Sequence, residues 1–363
     1  MEGPGYTIRM LTLHLDCRRL DDPVEAVEDY DARLQEAKDA VFRATGIHVD
    51  STRITLDYCG LNEAYRVVDE LAESRPESFV SLGGFPVSTE GIEDLALHVA
   101  REGFYMHLLM GDGWEEARRA SIVLHRLASE DPEYSIHVGV NVSGERVETP
   151  YYPLSSTLRH GVLTAGLTYP NYLARAYKQA GLEGLREAAK AAAARARRAL
   201  RAAAEAAGVE RGGLDMSVAP WMHETSLGLV ELVAGVRLPE PGIARGIALV
   251  NRIVSRAAGD DSVGFNEVQL PVAEDLKMKA RVSELETRAV DLARLAGVCL
   301  AGLDLVVVPA DIERVAGLLL ELRGYSLAKG RPLGARIVPV EEVEPGDRVL
   351  LGKFGETPVI PLA

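Results

Sequence analysis

One alternation constrains this chain more than any other feature: a short apolar strand, a turn marked by glycine, then an amphipathic helix, repeated along the first half. Strand patterns fall at residues 6–15 (YTIRMLTLHL), 53–58 (RITLDY), 79–82, 104–110 and 134–142 (YSIHVGVNV). Helix patterns follow at 23–44, 62–74, 91–100 and 114–128, with Asp22 and Pro23, then Ser88 and Thr89, as start signals. Alternation with short turns predicts parallel strands joined by right-handed crossovers. The glycines fall after the strands, at the carboxyl edge where such folds bind ligands. Gly83 and Gly84 either cradle an anion ahead of a capped helix or make a turn that needs positive φ.

Residues 147–172 are irregular and rich in Pro, Tyr, Ser and Thr, an expected excursion over the mouth of the fold. Residues 175–207 form an Ala-rich helical stretch carrying Arg195, Arg197, Arg198 and Arg201. Those arginines make either a basic patch or a solvated face shared with Glu183, Glu187 and Glu205. Further strands are expected at 213–218, 263–270, 303–308 and 335–340, and helices at 224–234, 242–257, 273–296 and 311–323. A Gly/Pro-marked β-like tail closes the series at 345–361. About ten strands in one series predict a single α/β barrel over 1–363, with 147–207 as a loop and helical excursion.

Aromatic residues make up only 6% of the chain, so its core must be built from Ala, Leu, Val and Ile. A net charge of −14 argues against nucleic acid as a partner. No apolar run reaches membrane-spanning length, and no signal peptide precedes the first strand, which predicts a cytoplasmic protein. Cys17, Cys59 and Cys299 lie far apart without metal-type spacing, so free thiols in a reducing compartment are expected. Glutamine occurs only at 35, 179 and 269, a composition suited to a heat-adapted source.

The run Leu303 to Val308 reads as a strand buried on both faces, and Asp304 interrupts it. A carboxylate there is costly unless paired, so Asp304 is either a tied-down structural acid or a site residue. Asp215, Glu274 and Asp275 also fall at strand ends or the helix starts after them, and together the four acids would share acid–base roles or hold a hard cation such as Mg²⁺. For Glu274 and Asp275 the alternative is that they are acids stabilising a helix N-terminus. Arg336 either clamps a carboxylate or phosphate of a small anionic metabolite or bridges one of these acids. Ser217, Asn266 and Cys299 are candidates for the same rim, Cys299 also being readable as a buried inert thiol. His223 and Glu224 lack a second His four residues on, so they give no zinc motif.

Four strand ends together resemble one family. They are Gly213-Leu-Asp-Met-Ser-Val-Ala-Pro220, Gly264-Phe-Asn-Glu-Val-Gln-Leu-Pro-Val-Ala-Glu-Asp275 with Met278, Val298-Cys-Leu-Ala-Gly-Leu-Asp-Leu-Val-Val-Val-Pro309, and Ala335-Arg-Ile-Val-Pro339 with Gly346, Asp347, Pro358 and Val359 beyond. In this order they resemble the uncharacterised family catalogued as domain of unknown function 711, also called uncharacterised protein family 0210. The resemblance implies a ten-stranded α/β barrel similar in fold to the glycyl-radical enzymes of the pyruvate formate-lyase type, usually a homodimer. The tail Leu351-Gly-Lys-Phe-Gly-Glu356 lacks the glycine loop that radical chemistry wants, and Cys299 is not part of an adjacent pair. The expected activity is therefore a non-radical enzyme on a small anionic metabolite, or a metabolite-binding or scaffold protein that has kept the barrel without the chemistry.

Overall fold

The alternating segment near the start becomes β1 (Thr7–Asp16), whose pattern of buried residues extends to its carboxyl end. The computed structural model describes residues 5–299 and 303–363, so Gly302, one of the expected bounds of the late apolar strand, lies outside the described residues. The further strands are β2 (Val49–Asp57), β3 (Phe79–Pro86), β4 (Tyr105–Leu109), β5 (Val138–Asn141), β6 (Val162–Thr168), β7 (Glu210–Asp215), β8 (Asp304–Pro309), β9 (Gly334–Val340), β10 (Arg348–Leu350) and β11 (Glu356–Pro358). The helices are α1 (Pro23–Thr45), α2 (Leu61–Ser74), α3 (Ile92–Arg101), α4 (Trp114–Glu130), α5 (Pro170–Ala207), α6 (Ser226–Ala234), α7 (Ile243–Ala258), α8 (Leu276–Val282), α9 (Ala289–Leu295) and α10 (Ile312–Lys329). The class is the mixed α/β one that the alternation predicts.

The chain divides into two compact units, each assembled from three stretches. The first comprises Met1–Gly84, Arg146–Val218 and Asn251–Glu267; the second comprises Phe85–Glu145, Ala219–Val250 and Val268–Ala363.

In the first unit the strand order is β7-β6-β1-β2-β3. β1 runs parallel to β2 and β2 to β3, with Asp16 in register with Asp57, so the carboxyl ends of β1 and β2 lie side by side. β6 runs antiparallel to β1, which departs from the all-parallel expectation. It also places a strand inside the stretch expected to be irregular. Every residue of β6 is buried, but Gly166 and two threonines, Thr164 and Thr168, break its apolar run. Gly166 is there because a Cβ would stand 2.8 Å from Met10 Sδ. α1 starts where Asp22 accepts the Val24 N–H at 2.9 Å, and ends at left-handed Gly46. Its partner α5 buries a row of alanines including Ala189, Ala192, Ala193 and Ala196. A break at Ala180 and Gly181, where Gly181 has φ 60, divides α5.

Two further expectations fail for visible reasons. Residues 263–270 form no strand, because Asp215 takes the N–H groups of Phe265 and Asn266 that a ladder would use. Residues 273–296 form α8 and α9 rather than one helix. Leu285 sits at φ 59 between them, and Arg288 with Asp291 opens α9 as a reciprocal cap.

In the second unit the order is β4-β5-β9-β8, with β4–β5 and β8–β9 parallel and β9 antiparallel to β5. Among the described residues the two rows hold nine strands where about ten were expected. Leu305, Val307 and Val338 form a core with Leu351, Phe354 and Val359 of the tail. The tail is tied down where the Ile360 N–H donates to the Val307 carbonyl at 3.0 Å.

The parallel register also corrects the reading of the cysteines. Cys17 and Cys59, 42 residues apart, are joined as a disulfide with Cα atoms 5.2 Å apart, a usual separation for one. Sequence distance concealed that two strand ends meet, and the argument for a reducing compartment from unpaired thiols falls away. No helix among the described residues is long and apolar enough to cross a membrane.

Candidate functional site

The acids named from sequence fall into clusters, each inside one unit. In the first unit Asp215 ends β7 and is fully buried. One oxygen accepts the Ser217 N–H at 3.0 Å, the Ser217 hydroxyl at 2.6 Å and the Asn266 N–H at 3.0 Å. The other accepts the Thr149 hydroxyl and the Phe265 N–H, both at 2.9 Å. Asn266, at φ 55, accepts the Met216 N–H at 2.8 Å and donates its amide to Ser262 and Val263. Asp215, Ser217 and Asn266 are thus brought together as a knot that shapes a loop.

In the second unit Asp304 opens β8 beside a bulge, where Leu305 adopts φ 50. Register pairs Asp304 with Arg336 on β9. The guanidinium fork donates Nε to one Asp304 oxygen at 2.5 Å and Nη2 to the other at 2.8 Å, and Nη2 also reaches Glu274 at 3.0 Å. Burial opposes the charge on Arg336, but Asp304 and then Glu274 outweigh it and hold the guanidinium above its ordinary pKa. The fork proposed for a ligand anion is spanned by protein carboxylates. Asp275 caps α8 by accepting the Lys277 N–H at 2.9 Å, and accepts the Leu227 N–H at 3.1 Å. Burial raises its pKa above the usual carboxylate value against those hydrogen bonds. Cys299 is buried, and its carbonyl accepts Lys329 Nζ at 3.0 Å.

Another constellation, not singled out from sequence, occupies the carboxyl ends of β1, β2 and β3 in the first unit. Asp57 ends β2 with no exposed surface. Arg146 Nε donates to both of its oxygens at 3.1 Å, and the Thr157 N–H donates at 3.0 Å. Arg146 Nη2 donates to the Gly84 carbonyl at 2.9 Å, which fixes the plane of the guanidinium. Gly83 has φ +68, and a Cβ there would stand 2.6 Å from Asp57 Cγ. Gly83 makes no turn, since it lies inside β3; it is needed there for a positive φ and for the close approach of the Asp57 carboxylate.

Tyr58, at φ 63, lies between Asp57 and Cys59. Arg18 stands 3.9 Å and Arg146 4.2 Å from its ring centroid. Arg18 also donates to both oxygens of Asp16 at 2.9 and 2.7 Å, and this hydrogen bonding holds the Asp16 carboxyl below its ordinary pKa. The Asp16 N–H donates to His160 Nδ1 at 3.1 Å, and burial lowers the pKa of that ring. The signal available beforehand was positional: Asp16 and Asp57 are acids at the ends of the first two predicted strands, each within two residues of a cysteine. Arg146 comes from the far side of the chain and carried no such signal.

Among known proteins, residues 118–351 match the family described as Uncharacterised ACR (DUF711), well over half of the chain. A UPF0210 protein of Methanopyrus kandleri is 34% identical over 166 residues, an alignment covering 43% of this chain and 36% of that protein. A UPF0210 protein of Lactiplantibacillus plantarum is 25% identical over 264 residues, covering 66% of this chain and 58% of its own length. The chain thus spans between about a third and three fifths of the length of these curated relatives. A solved anaerobic ribonucleotide reductase from Thermotoga maritima is 10% identical with a TM-score of 0.42, covering 96% of this chain and 76% of its own. By the extent of the match at 118–351, the chain belongs to the Uncharacterised ACR (DUF711) family.

Proposed function

We propose that the protein binds a small anionic metabolite at the carboxyl ends of β1, β2 and β3 and acts on it by polar, non-radical chemistry. The observation that carries this reading is the placing of two guanidinium groups, Arg18 and Arg146, against the single Tyr58 ring at that edge. Beside its contact with Asp16 the Arg18 side chain stays 61% exposed, unlike the buried fork of Arg336, and so is free to reach a carboxylate or phosphate over the Tyr58 face; the carboxyl edge is where open α/β sheets bind ligands. The test is a thermal-shift screen of anionic metabolites on the intact chain, followed by turnover assays on each hit. Anionic compounds should raise Tm, and Arg18→Ala should remove the shift while leaving the unliganded Tm nearly unchanged, since an exposed ion pair contributes about 0–1 kcal/mol. If no anionic compound stabilises the protein, the reading is wrong.

A second reading, a binding or scaffold protein without catalysis, is favoured by one observation. Both oxygens of Asp215 and both of Asp304 already accept protein donors, which suits anchoring better than proton transfer. Ligand stabilisation without product formation would select it. Either reading includes the homodimer that the family resemblance implies, checked by sedimentation at micromolar concentration.

A further inference from the structure

Among the described residues, Cys17, Cys59 and Glu63 are the one group of three His, Cys, Asp or Glu side chains whose ligand atoms lie within 4.8 Å of one another. They come from three different positions on the fold. Cys17 follows the last residue of β1, Cys59 follows β2 by two residues, and Glu63 is the third residue of α2. The parallel register of Asp16 with Asp57 is what brings the two cysteines side by side. Glu63 is then carried over them by the first turn of α2.

We infer that this group is a redox-gated metal site: closed as a disulfide, and open to a thiophilic divalent ion such as Zn²⁺ once the bond is reduced. The donor set is chemically suited to that ion. Two thiolates and one carboxylate are ligands Zn²⁺ accepts, and soft thiolates select it over Mg²⁺. Three protein ligands leave a fourth tetrahedral position for water or another ligand. Cys59 precedes Gly60, the N-cap of the fourteen-residue α2, so its sulfur lies near the positive end of a helix. Cys17 and Cys59 are 4% and 6% exposed and Glu63 is half-buried, so the group is shielded but keeps an entry path.

The chemistry balances with an external thiol as reductant. Two thiol equivalents break the Cys17–Cys59 bond, leave as their own disulfide, and return two protons to the cysteine sulfurs. Zn²⁺ binding then releases those two protons to solvent. The metal clip replaces the covalent one between the ends of β1 and β2, so the edge stays held in both states. This inference goes beyond the metabolite reading and does not depend on it.

The experiment uses the full chain with no metabolite present. Thiol counting and mass spectrometry define a reduced and an oxidised sample, each stripped of metal and titrated with Zn²⁺ by calorimetry, with Co²⁺ as a spectroscopic probe of thiolate ligation. The reduced chain should take one Zn²⁺, show a thiolate-to-cobalt charge-transfer band, and melt at higher temperature with metal bound. The oxidised chain should do none of these. Glu63→Gln should weaken binding at least tenfold, and Cys59→Ser should weaken it further and diminish the cobalt band to that of one thiolate. Equal zinc binding by both redox forms, or a pair that stays oxidised under excess thiol, overturns the inference. The comparison of redox forms needs no variant, so a misfolded Cys59→Ser protein would not shield it.

Discussion

His14 shows how burial alone can commit a titratable group. It is fully buried on β1, with Nδ1 2.9 Å from the Ser156 carbonyl and Nε2 2.8 Å from the Thr164 hydroxyl. Burial, outweighing nearby Glu148 and Asp57, pushes its pKa from 6.5 down to about 4. The ring folds neutral, so its contribution is fully present above pH 6.5 and is lost as pH falls toward 4. About 3 kcal/mol of stability should disappear across that window. Urea unfolding at several pH values checks this, since His14→Asn should flatten the slope there. Asp304 gives a second prediction at this scale. Its bidentate contact with Arg336 is buried, so Asp304→Asn should destabilise by roughly 3–5 kcal/mol. Replacing Asp304, Glu274 and Arg336 together by Leu, Gln and Met should recover most of that loss. If Asp304→Asn instead kept its Tm and lost ligand binding, Asp304 would be a site residue after all.

Elements here are closed by single residues whose backbone or volume admits no alternative. Gly83 combines a positive φ with a neighbour at 2.6 Å from any Cβ, whereas Gly181 combines a positive φ with open space. Gly181→Ala should therefore cost about 1 kcal/mol, and Gly83→Ala distinctly more because Asp57 must also move. Chemical denaturation of the two variants side by side measures the difference. The bond between Cys17 and Cys59 closes a long loop between β1 and β2. Reducing it without metal should lower stability by about 2–4 kcal/mol, part of which Zn²⁺ should restore if the site forms.

Across the whole molecule, the class was legible because alternation is written locally, in periodicity and turn residues. Strand direction was not. β6 and β9 reverse against β1 and β5, and no residue within those strands encodes which neighbour a strand will meet. The candidate site was legible in part. Asp215, Glu274, Asp304 and Arg336 stood out from the sequence, and a bridge from Arg336 to one of those acids was one of its two readings, but Thr149 and Phe265, the partners of Asp215, are distant or use a backbone N–H, which a sequence does not display. The cysteine pair went unseen because strand register alone joins it, and Arg146 because it reaches Asp57 from a loop 89 residues further along the chain. Charge is the whole-molecule property most open to test. At −14 the chain should pass through immobilised heparin at low salt without retention. Salt-dependent retention would instead point to the arginines of α5, of which Arg197 is already engaged by Asp261 at 3.0 Å.

The chain passes between its two units five times, so neither unit is a continuous stretch of polypeptide. During synthesis the first cannot complete itself until Glu267 has left the ribosome, when about half of the second is already outside. Half-made protein must therefore wait with both hydrophobic interiors unfinished. Dissection by cloning meets the same obstacle, since no single cut yields an intact half.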